Sequence, residues 1–503
     1  MKSLSLFRRQ LSLLVIFSLV AFQSLFAQVR QMVFLQINDT YEITPLSGVG
    51  GMARMATLHK QILKENPHTL FVHAGDFVNP SVLSALSYQG KRIRGKQMVE
   101  VLNTIGLDYT AFGNHEFDIN EADLQERLNE SKFEWIAANV FHKTKQGEIP
   151  FARTGQAPFR TSLVRNLGGL RVGIIGVTIP LEKDFVRCAD PLAAAEVEYN
   201  RLKDSCDFVV AITHQSIEAD RELAQRLPNL KLIMGGHEHD NTAQKVGNTL
   251  IYKADANVKT AYIHRVSFDA ATKQFSSVSE LKKIDASIPD DEATAQIVNK
   301  WQAIANQGIK ELGFDASEKL MEAKANEPLD GLESSVRNKH TNLTDIVVKA
   351  MLDACPEADA AIVNGGSIRI DDRIAGIVTA YDLMRILPFG GGLVEVEMKG
   401  SLLVKMLEAG EKNKGKGGFL HYEKITHKPS KKRWKIKGKK IKPEKYYRIV
   451  TSDFLVTGKE SNMEWFVESN ADIRKVHKAN PQDTKDLRTD ARKAIAVYMR
   501  KQK

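Results

Sequence analysis

Six short apolar runs punctuate the first half of the chain: MVFLQIND (32–39), HTLFVHAGD (68–76), YTAFGNHE (109–116), RVGIIGVT (171–178), FVVAITHQ (208–215) and LKLIMGGHEH (230–239). Each is rich in β-branched and aromatic residues, and each ends in groups able to hold a metal ion or a phosphate. Runs that are apolar throughout, rather than alternating, and that are separated by helical patterns predict a sheet covered on both faces. In such sheets the functional groups lie on the loops that follow the strands, so the site is assembled from strand ends.

The length of 503 residues exceeds what one hydrophobic core organises and predicts at least two domains. With 43% hydrophobic and 26% charged residues, the composition is that of a globular chain and excludes a disordered or multi-spanning one. The first 27 residues differ: Lys2, Arg8 and Arg9 precede an apolar stretch from Leu11 to Phe26, followed by Ala27 and Gln28. That layout predicts a secretory signal peptide cleaved after Ala27, hence a periplasmic or secreted protein with no transmembrane anchor afterwards. An uncleaved anchor is the competing reading, although Gln23 and Ser24 interrupt the run. Three cysteines, Cys188, Cys206 and Cys355, are too few for a disulfide scaffold, and none sits in a metal or nucleophile motif. The formal charge of +10 is concentrated between Lys412 and Lys445, where KKRWKIKGKKIK predicts a solvated hairpin with lysines along its edges. A patch for an anionic surface is the alternative, but no nucleic-acid recognition motif accompanies it, and no nucleic-acid polymer is expected as a partner.

Metal ions that activate water need carboxylate and imidazole ligands, with one ligand shared when two ions cooperate. Asp39, Asp76, Asn114, His214, His237 and His239 offer that set in order, with His115 beside them. Singly, a strand-end Asp is often a helix cap and a lone His a core residue. Their recurrence after β-like runs, flanked by glycines, points to a site. Three further histidines, His59, His73 and His264, read as structural or surface groups.

The series ND, GD, GNHE, TH and GGHEH resembles the calcineurin-like metallophosphoesterases, and GNHEFD followed by GGHEH resembles their 5′-nucleotidase and UDP-sugar hydrolase branch. The resemblance implies an α/β chain, α+β overall, with an N-terminal four-layer α/β-β/α sandwich and a second α/β substrate-binding domain. It also implies two divalent metal ions (Zn, Mn, Co or Fe) bridged by Asp76. One would be held by Asp39, His239 and the residue at 41, the other by Asn114, His214 and His237. His115 would protonate the leaving oxygen, with Asp118 orienting its ring. Where the family has His two residues after the first Asp, this chain has Tyr41. Three readings stand: a phenolate ligand favouring a harder or more oxidised metal, a water in its place, or a weak or empty first position.

The second half carries VRNKHTNLTD, NGGSIR, LPFGGG and TSDFLVTGKE, through which the resemblance continues. It implies that Arg337 and Arg369 reach phosphate or ribose, that Asn364 meets base or sugar, and that Phe389 and Phe454 clamp the base. Stacking of this kind contributes about 1–3 kcal/mol per base and tolerates any base. The family's Gly-Gly-Asp-Gly ribose turn is replaced by Gly458, Lys459, Glu460 and Ser461, leaving Glu460 as the acid, and His340 stands where Glu is usual.

The expected organisation is a signal peptide (1–27), a catalytic domain (28–288), a connecting helix and linker (289–325), a substrate-binding domain (326–482) and a charged C-terminal helix or tail (483–503). The expected function is an exported dinuclear-metal hydrolase acting on nucleoside 5′-monophosphates, and on nucleotide anhydrides or nucleotide sugars besides. The alternatives are a phosphodiesterase, a hydrolase of another phosphate or sulfur ester, or a nucleoside-binding protein with a disabled first metal position.

Overall fold

The computed structural model describes residues 29–428, 433–483 and 485–502. The signal-peptide reading at residues 1–27 and part of the lysine-rich segment lie outside the described residues. The chain divides into two compact units between Ile304 and Ala305.

The first unit runs β1 (Val29–Ile37), α1 (Met52–Glu65), β2 (Thr69–His73), α2 (Lys96–Ile105), β3 (Tyr109–Thr110), α3 (Glu121–Glu130), β4 (Glu134–Trp135), β5 (Ser162–Leu167), β6 (Leu170–Thr178) and α4 (Pro191–Leu202). It continues through β7 (Phe208–His214), α5 (Ile217–Arg226), β8 (Leu232–Gly236), β9 (Thr242–Val246), β10 (Thr249–Lys253), β11 (Thr260–Asp269) and β12 (Gln274–Lys283). All six apolar runs form strands. They do not form one sheet: the strands order as β12-β11-β1-β2-β3-β4 in one six-stranded sheet and β9-β10-β8-β7-β6-β5 in another. Phe34, Leu70 and Val72 of the first sheet pack against Val172, Ile174, Val210 and Met234 of the second. Helices α4 and α5 cover the outer face of the second sheet through Ala195, Leu202, Leu223 and Ala224. The central strands β2, β7 and β8 are thus buried on both faces, whereas the edge strands β9 and β12 stay partly exposed. The central pairs β1–β2, β6–β7 and β7–β8 are parallel, which puts the ends of successive strands at one edge.

Polar groups also cross between these sheets. Gln36 Nε2 donates to Gly235 O (3.1 Å) and Tyr252 O (2.9 Å) of the opposite sheet. Its Oε1 must then accept, so the His264 Nε2–H at 2.9 Å is the donor, and His264 Nδ1 accepts from Ser279 Oγ at 2.8 Å. Both contacts use the neutral ring.

Helix α6 (Glu292–Glu311) lies within the expected connecting segment 289–325 and contains the division point. The second unit contains α7 (Asn342–Ala354), β13 (Ala360–Asn364), α8 (Ala380–Ile386), β14 (Leu393–Lys399), α9 (Gly400–Lys412), β15 (Leu420–Glu423), β16 (Ile425–Lys428), β17 (Arg433–Ile436), β18 (Lys439–Lys440), β19 (Tyr446–Ser452), β20 (Ile473–Lys478) and α10 (Ala491–Arg500). Five strands form a sheet of order β15-β13-β19-β14-β20, whose core joins Ile362, Val396 and Ile449 to Leu403, Met406 and Leu407 of α9. The lysine-rich segment contributes the small sheet β16-β17-β18. Among the described residues, no helix is long and apolar enough to cross a membrane, and all three cysteines are free.

Burial holds the His264 pKa down to about 3. A folded-state value below the ordinary imidazole value of about 6.5 means that the unfolded chain binds the extra proton, so this contribution to stability is intact above that pH and is lost as pH falls toward 3. Between pH 6.5 and 5, the wild-type unfolding free energy should drop by about 2 kcal/mol more than that of His264→Gln, as measured by urea unfolding at the two pH values.

Candidate functional site

In the first unit the sequence-predicted ligands gather at one edge of both sheets. Asp39 and Asp76 lie just past β1 and β2, Asn114 past β3, His214 is the last residue of β7, and His237 follows β8. Three of these adopt left-handed backbone, Asp39 (φ 50°), Asp76 (φ 65°) and His237 (φ 84°), a strained arrangement that recurs where side chains must converge. Gly113 and Gly236 make the approach possible: a Cβ at Gly113 would stand 2.0 Å from Asp76 Oδ1, and one at Gly236 would stand 2.6 Å from Ala74 O.

The groups fall into two clusters that share Asp76. On one side the Tyr41 hydroxyl donates to Asp76 Oδ2 at 3.0 Å and lies 3.4 Å from His239 Nε2, which is itself 3.5 Å from Asp39 Oδ1. On the other, His214 Nδ1–H donates to Ala74 O at 2.7 Å, which turns Nε2 toward Asp76 Oδ2 (3.2 Å) and Asn114 Oδ1 (3.2 Å). The His237 ring lies 5.3 Å from that of His214, and its backbone N–H donates to Asp39 Oδ2 at 3.0 Å. Burial alone would raise both carboxyls. His214 and His115 beside Asp76, with His239 and His214 beside Asp39, nevertheless hold both below the ordinary value. For His214 burial opposes the charge, but Asp76 and Asp39 outweigh it and lift the ring to about 9; burial and the His214 charge depress His237 to about 4.

These residues fit a metal ion. Asp39, Asp76 and His214 present ligand atoms all within 4.8 Å of one another. Asp39 Oδ1 is buried and has only the long 3.5 Å contact to His239 Nε2, which leaves it as an acceptor for a cation. The oxygen and imidazole donor set suits the borderline divalent metals.

His115 sits beside the clusters, its backbone N–H on Asp76 Oδ1 (2.8 Å) and its Nδ1 2.6 Å from Asp118 Oδ2. Lys183, which sequence reasoning did not single out, pairs with the other oxygen of Asp118 and donates to Phe117 O at 3.0 Å. Glu116 was also missed, although it belongs to the GNHE motif. Its carboxylate is fully buried and accepts four backbone N–H groups: Phe77 (2.7 Å) and Val78 (3.2 Å) on Oε1, Asp76 (3.0 Å) and Gly113 (2.6 Å) on Oε2. It thereby fastens the Asp76 loop to the Asn114–His115 loop. Beneath them Phe77 and Phe112 stack on Trp135, at 5.3 and 4.3 Å between centroids. His59 and His73 are buried and bonded within the fold, to Ile105 O at 3.1 Å and Thr40 Oγ1 at 3.0 Å.

In the second unit, the adjacent ends of β13 and β19 and the segment after α8 enclose a cavity of about 330 Å³, lined in part by Asn364, Ser367, Phe389, Asp453, Phe454 and Glu460. Phe389 and Phe454 are 47% and 39% exposed, unusually open for large apolar rings. Arg369 places its guanidinium 5.8 Å from the Phe389 ring centroid. Glu460 Oε2 accepts from Asn364 Nδ2 at 2.8 Å, and burial raises its pKa. Arg337 is not among the lining residues and pairs with Glu333 at 2.5 Å. His340 stands against Tyr422 and His421, at 4.6 and 5.1 Å between centroids. Asp453 is the lining acid that sequence reasoning passed over; its position immediately before Phe454 was the available signal.

The Glu116 clamp has a direct consequence. Burial and the Asp76 charge push the Glu116 pKa up to about 7, so the test is made at about pH 8: in Glu116→Gln an amide NH₂ would replace one oxygen and face two backbone N–H donors, and urea unfolding should show a loss of about 2–4 kcal/mol, from two charge-assisted bonds lost in a buried place.

Residues 32–241 match the calcineurin-like phosphoesterase family, and residues 322–468 match the 5′-nucleotidase C-terminal domain. The chain is 26% identical to the 5′-nucleotidase of Bos taurus, over 82% of this chain and 78% of that one, and 24% identical to Protein UshA of Escherichia coli (strain K12), over 82% of each. The solved 5′-nucleotidase precursor from Thermus thermophilus superposes with a TM-score of 0.70 at 23% identity, covering 94% of this chain and 97% of that one, and so shares its fold. The chain therefore belongs to the 5′-nucleotidase family, as a divalent-metal-binding calcineurin-like phosphoesterase domain followed by a 5′-nucleotidase C-terminal domain.

Proposed function

We propose that the protein is an exported dinuclear-metal hydrolase that removes phosphate from nucleoside 5′-monophosphates, with nucleotide anhydrides and nucleotide sugars as further substrates. The observation that carries this reading is the convergence of Asp39, Asp76 and His214, whose ligand atoms all lie within 4.8 Å of one another, with His239 3.5 Å from the buried Asp39 Oδ1. In the proposal Asp39, Tyr41 and His239 would hold one ion, Asn114, His214 and His237 would hold the other, and Asp76 would serve both; Zn, Mn, Co and Fe suit these donors. When bound, the ions supply Lewis acidity toward the phosphoryl oxygens and activation of a water molecule.

The chain's own side chains supply the rest. Asp118, 2.6 Å from His115 Nδ1, fixes the imidazole so that Nε2 delivers a proton to the leaving alkoxide, which is a poor leaving group unprotonated. Lys183 keeps Asp118 an acceptor by pairing with its second oxygen. Phe389 and Phe454 offer two accessible faces for a base, Asn364 and Glu460 offer an amide and a carboxylate for ribose hydroxyls, and Arg369, beside Phe389, offers positive charge for phosphate or ribose; Arg337 would join it on release from Glu333. The domain limits we assign are 28–288 for the catalytic part, 289–325 for the connector, 326–482 for the recognition part and 483–503 for the terminal helix. The basic and apolar N-terminal segment supports export to the periplasm or medium.

The test is phosphate release from AMP by the mature protein supplied with Mn²⁺, Zn²⁺ or Co²⁺. Release is expected, and His115→Ala should lower kcat by about 10²–10⁴-fold with metal content unchanged. Stoichiometric nucleoside binding without release from any nucleotide would instead identify a binding protein.

A further inference from the structure

One buried side chain touches both loops that carry the three histidines and has no part in the chemistry above. Lys253 ends β10 and is fully buried, a rare state for an ammonium group. Its residue pairs with Gly235 across the β8–β10 ladder, and its stem passes so close that a Cβ on Gly235 would stand 2.8 Å from Lys253 Cε. The Nζ donates to Gln215 O at 2.6 Å and to Gly236 O at 2.8 Å, and it pairs with Asp220 Oδ2 at 3.0 Å and with Glu238 Oε2.

The partners are not scattered. Gln215 follows His214, Gly236 precedes His237, and Glu238 stands between His237 and His239. The acids are in turn fixed to α5: Asp220 lies on it and accepts from Gln215 Nε2 at 3.0 Å, and Glu238 Oε1 accepts from the Ile217 N–H at 2.7 Å. A single cation thus binds a neighbour of every histidine in the ligand set. Burying a charge is unfavourable unless its partners compensate, and well-packed apolar residues usually stabilise a core as well as an ion pair does. What an ammonium adds here is direction, since its N–H groups hold two carbonyls of different loops at fixed distances.

We propose that Lys253, acting with Asp220 and Glu238, is a positioning residue that holds His214, His237 and His239 in ligating geometry. The proposal rests on the metal-centre reading above and adds to it a residue that binds no metal itself. Groups that orient metal ligands typically change affinity by about 10–100-fold when removed.

The experiment uses the full mature chain stripped of metal and titrated with Mn²⁺, free ion being read by electron paramagnetic resonance and folding by circular dichroism and thermal melting. Lys253→Met should bind Mn²⁺ about 10–100-fold more weakly than wild type. Glu238→Gln, whose side chain is 31% exposed and whose loss leaves Lys253 its other partners, should keep the fold and show a smaller loss, so it carries the test if Lys253→Met does not fold. Leu170→Ala, a buried residue at the far end of β6, should lower the melting temperature and leave Mn²⁺ affinity unchanged. Wild-type affinity in a folded Lys253→Met or in Glu238→Gln would overturn the positioning role alone. Equal weakening in Leu170→Ala would overturn it too, by showing that affinity follows general stability. A wild-type chain that binds no Mn²⁺ would overturn this inference together with the metal-centre reading.

Discussion

The Asp76 carboxylate is the contact on which the site depends. It receives the His115 N–H on one oxygen and meets Tyr41 and His214 on the other, so both ligand clusters and the acid candidate are referred to a single buried group. Two acids packed this closely against His214 outweigh its burial and drive it up, while burial and the His214 charge drive His237 down. A divalent cation compensates the carboxylates in place of such protons, which couples metal affinity to pH and to the order of the surrounding loops.

That order comes from elements behind the ligands. The parallel strands of two facing sheets bring the loop starts to one edge, and three strained residues then turn their side chains inward. Glu116 ties the loops after β2 and β3 through four backbone donors, the Phe77–Trp135–Phe112 stack supports them from below, and Lys253 ties the loops after β7 and β8. Each ligand loop is therefore fastened to another by a buried polar group, and strain at Asp39, Asp76 and His237 is carried by a fold that over-determines it.

The six strands and their terminal ligands were legible because they are local: an apolar run and the residue after it survive in sequence order. The pairing into two sheets was implied only by the family resemblance and not by the apolar pattern, since a strand covered by a helix and a strand covered by another sheet carry the same pattern. Glu116 lay in plain view within GNHE, but its role depends on Phe77 and Val78, distant in sequence. Lys253 was invisible for a stronger reason: a lysine closing a strand reads as solvated, and only the fold brings two carbonyls and two acids around it. In the second unit the Phe389 and Phe454 rings were legible as a pair, whereas the Glu333 partner of Arg337 and the lining position of Asp453 follow from packing alone.

Tyr41 stands where the family resemblance implied His, and its hydroxyl lies inside the ligand cluster, on Asp76 and near His239. The central claim is that the strand-end residues form two metal positions sharing Asp76. Metal stoichiometry tests it most directly: the mature chain, equilibrated with Mn²⁺, Zn²⁺ or Co²⁺, freed of excess ion and examined by elemental analysis, should hold two ions per chain and lose both in Asp76→Ala. One ion or none in the wild-type chain with each of the three metals, or two retained without Asp76, would contradict it.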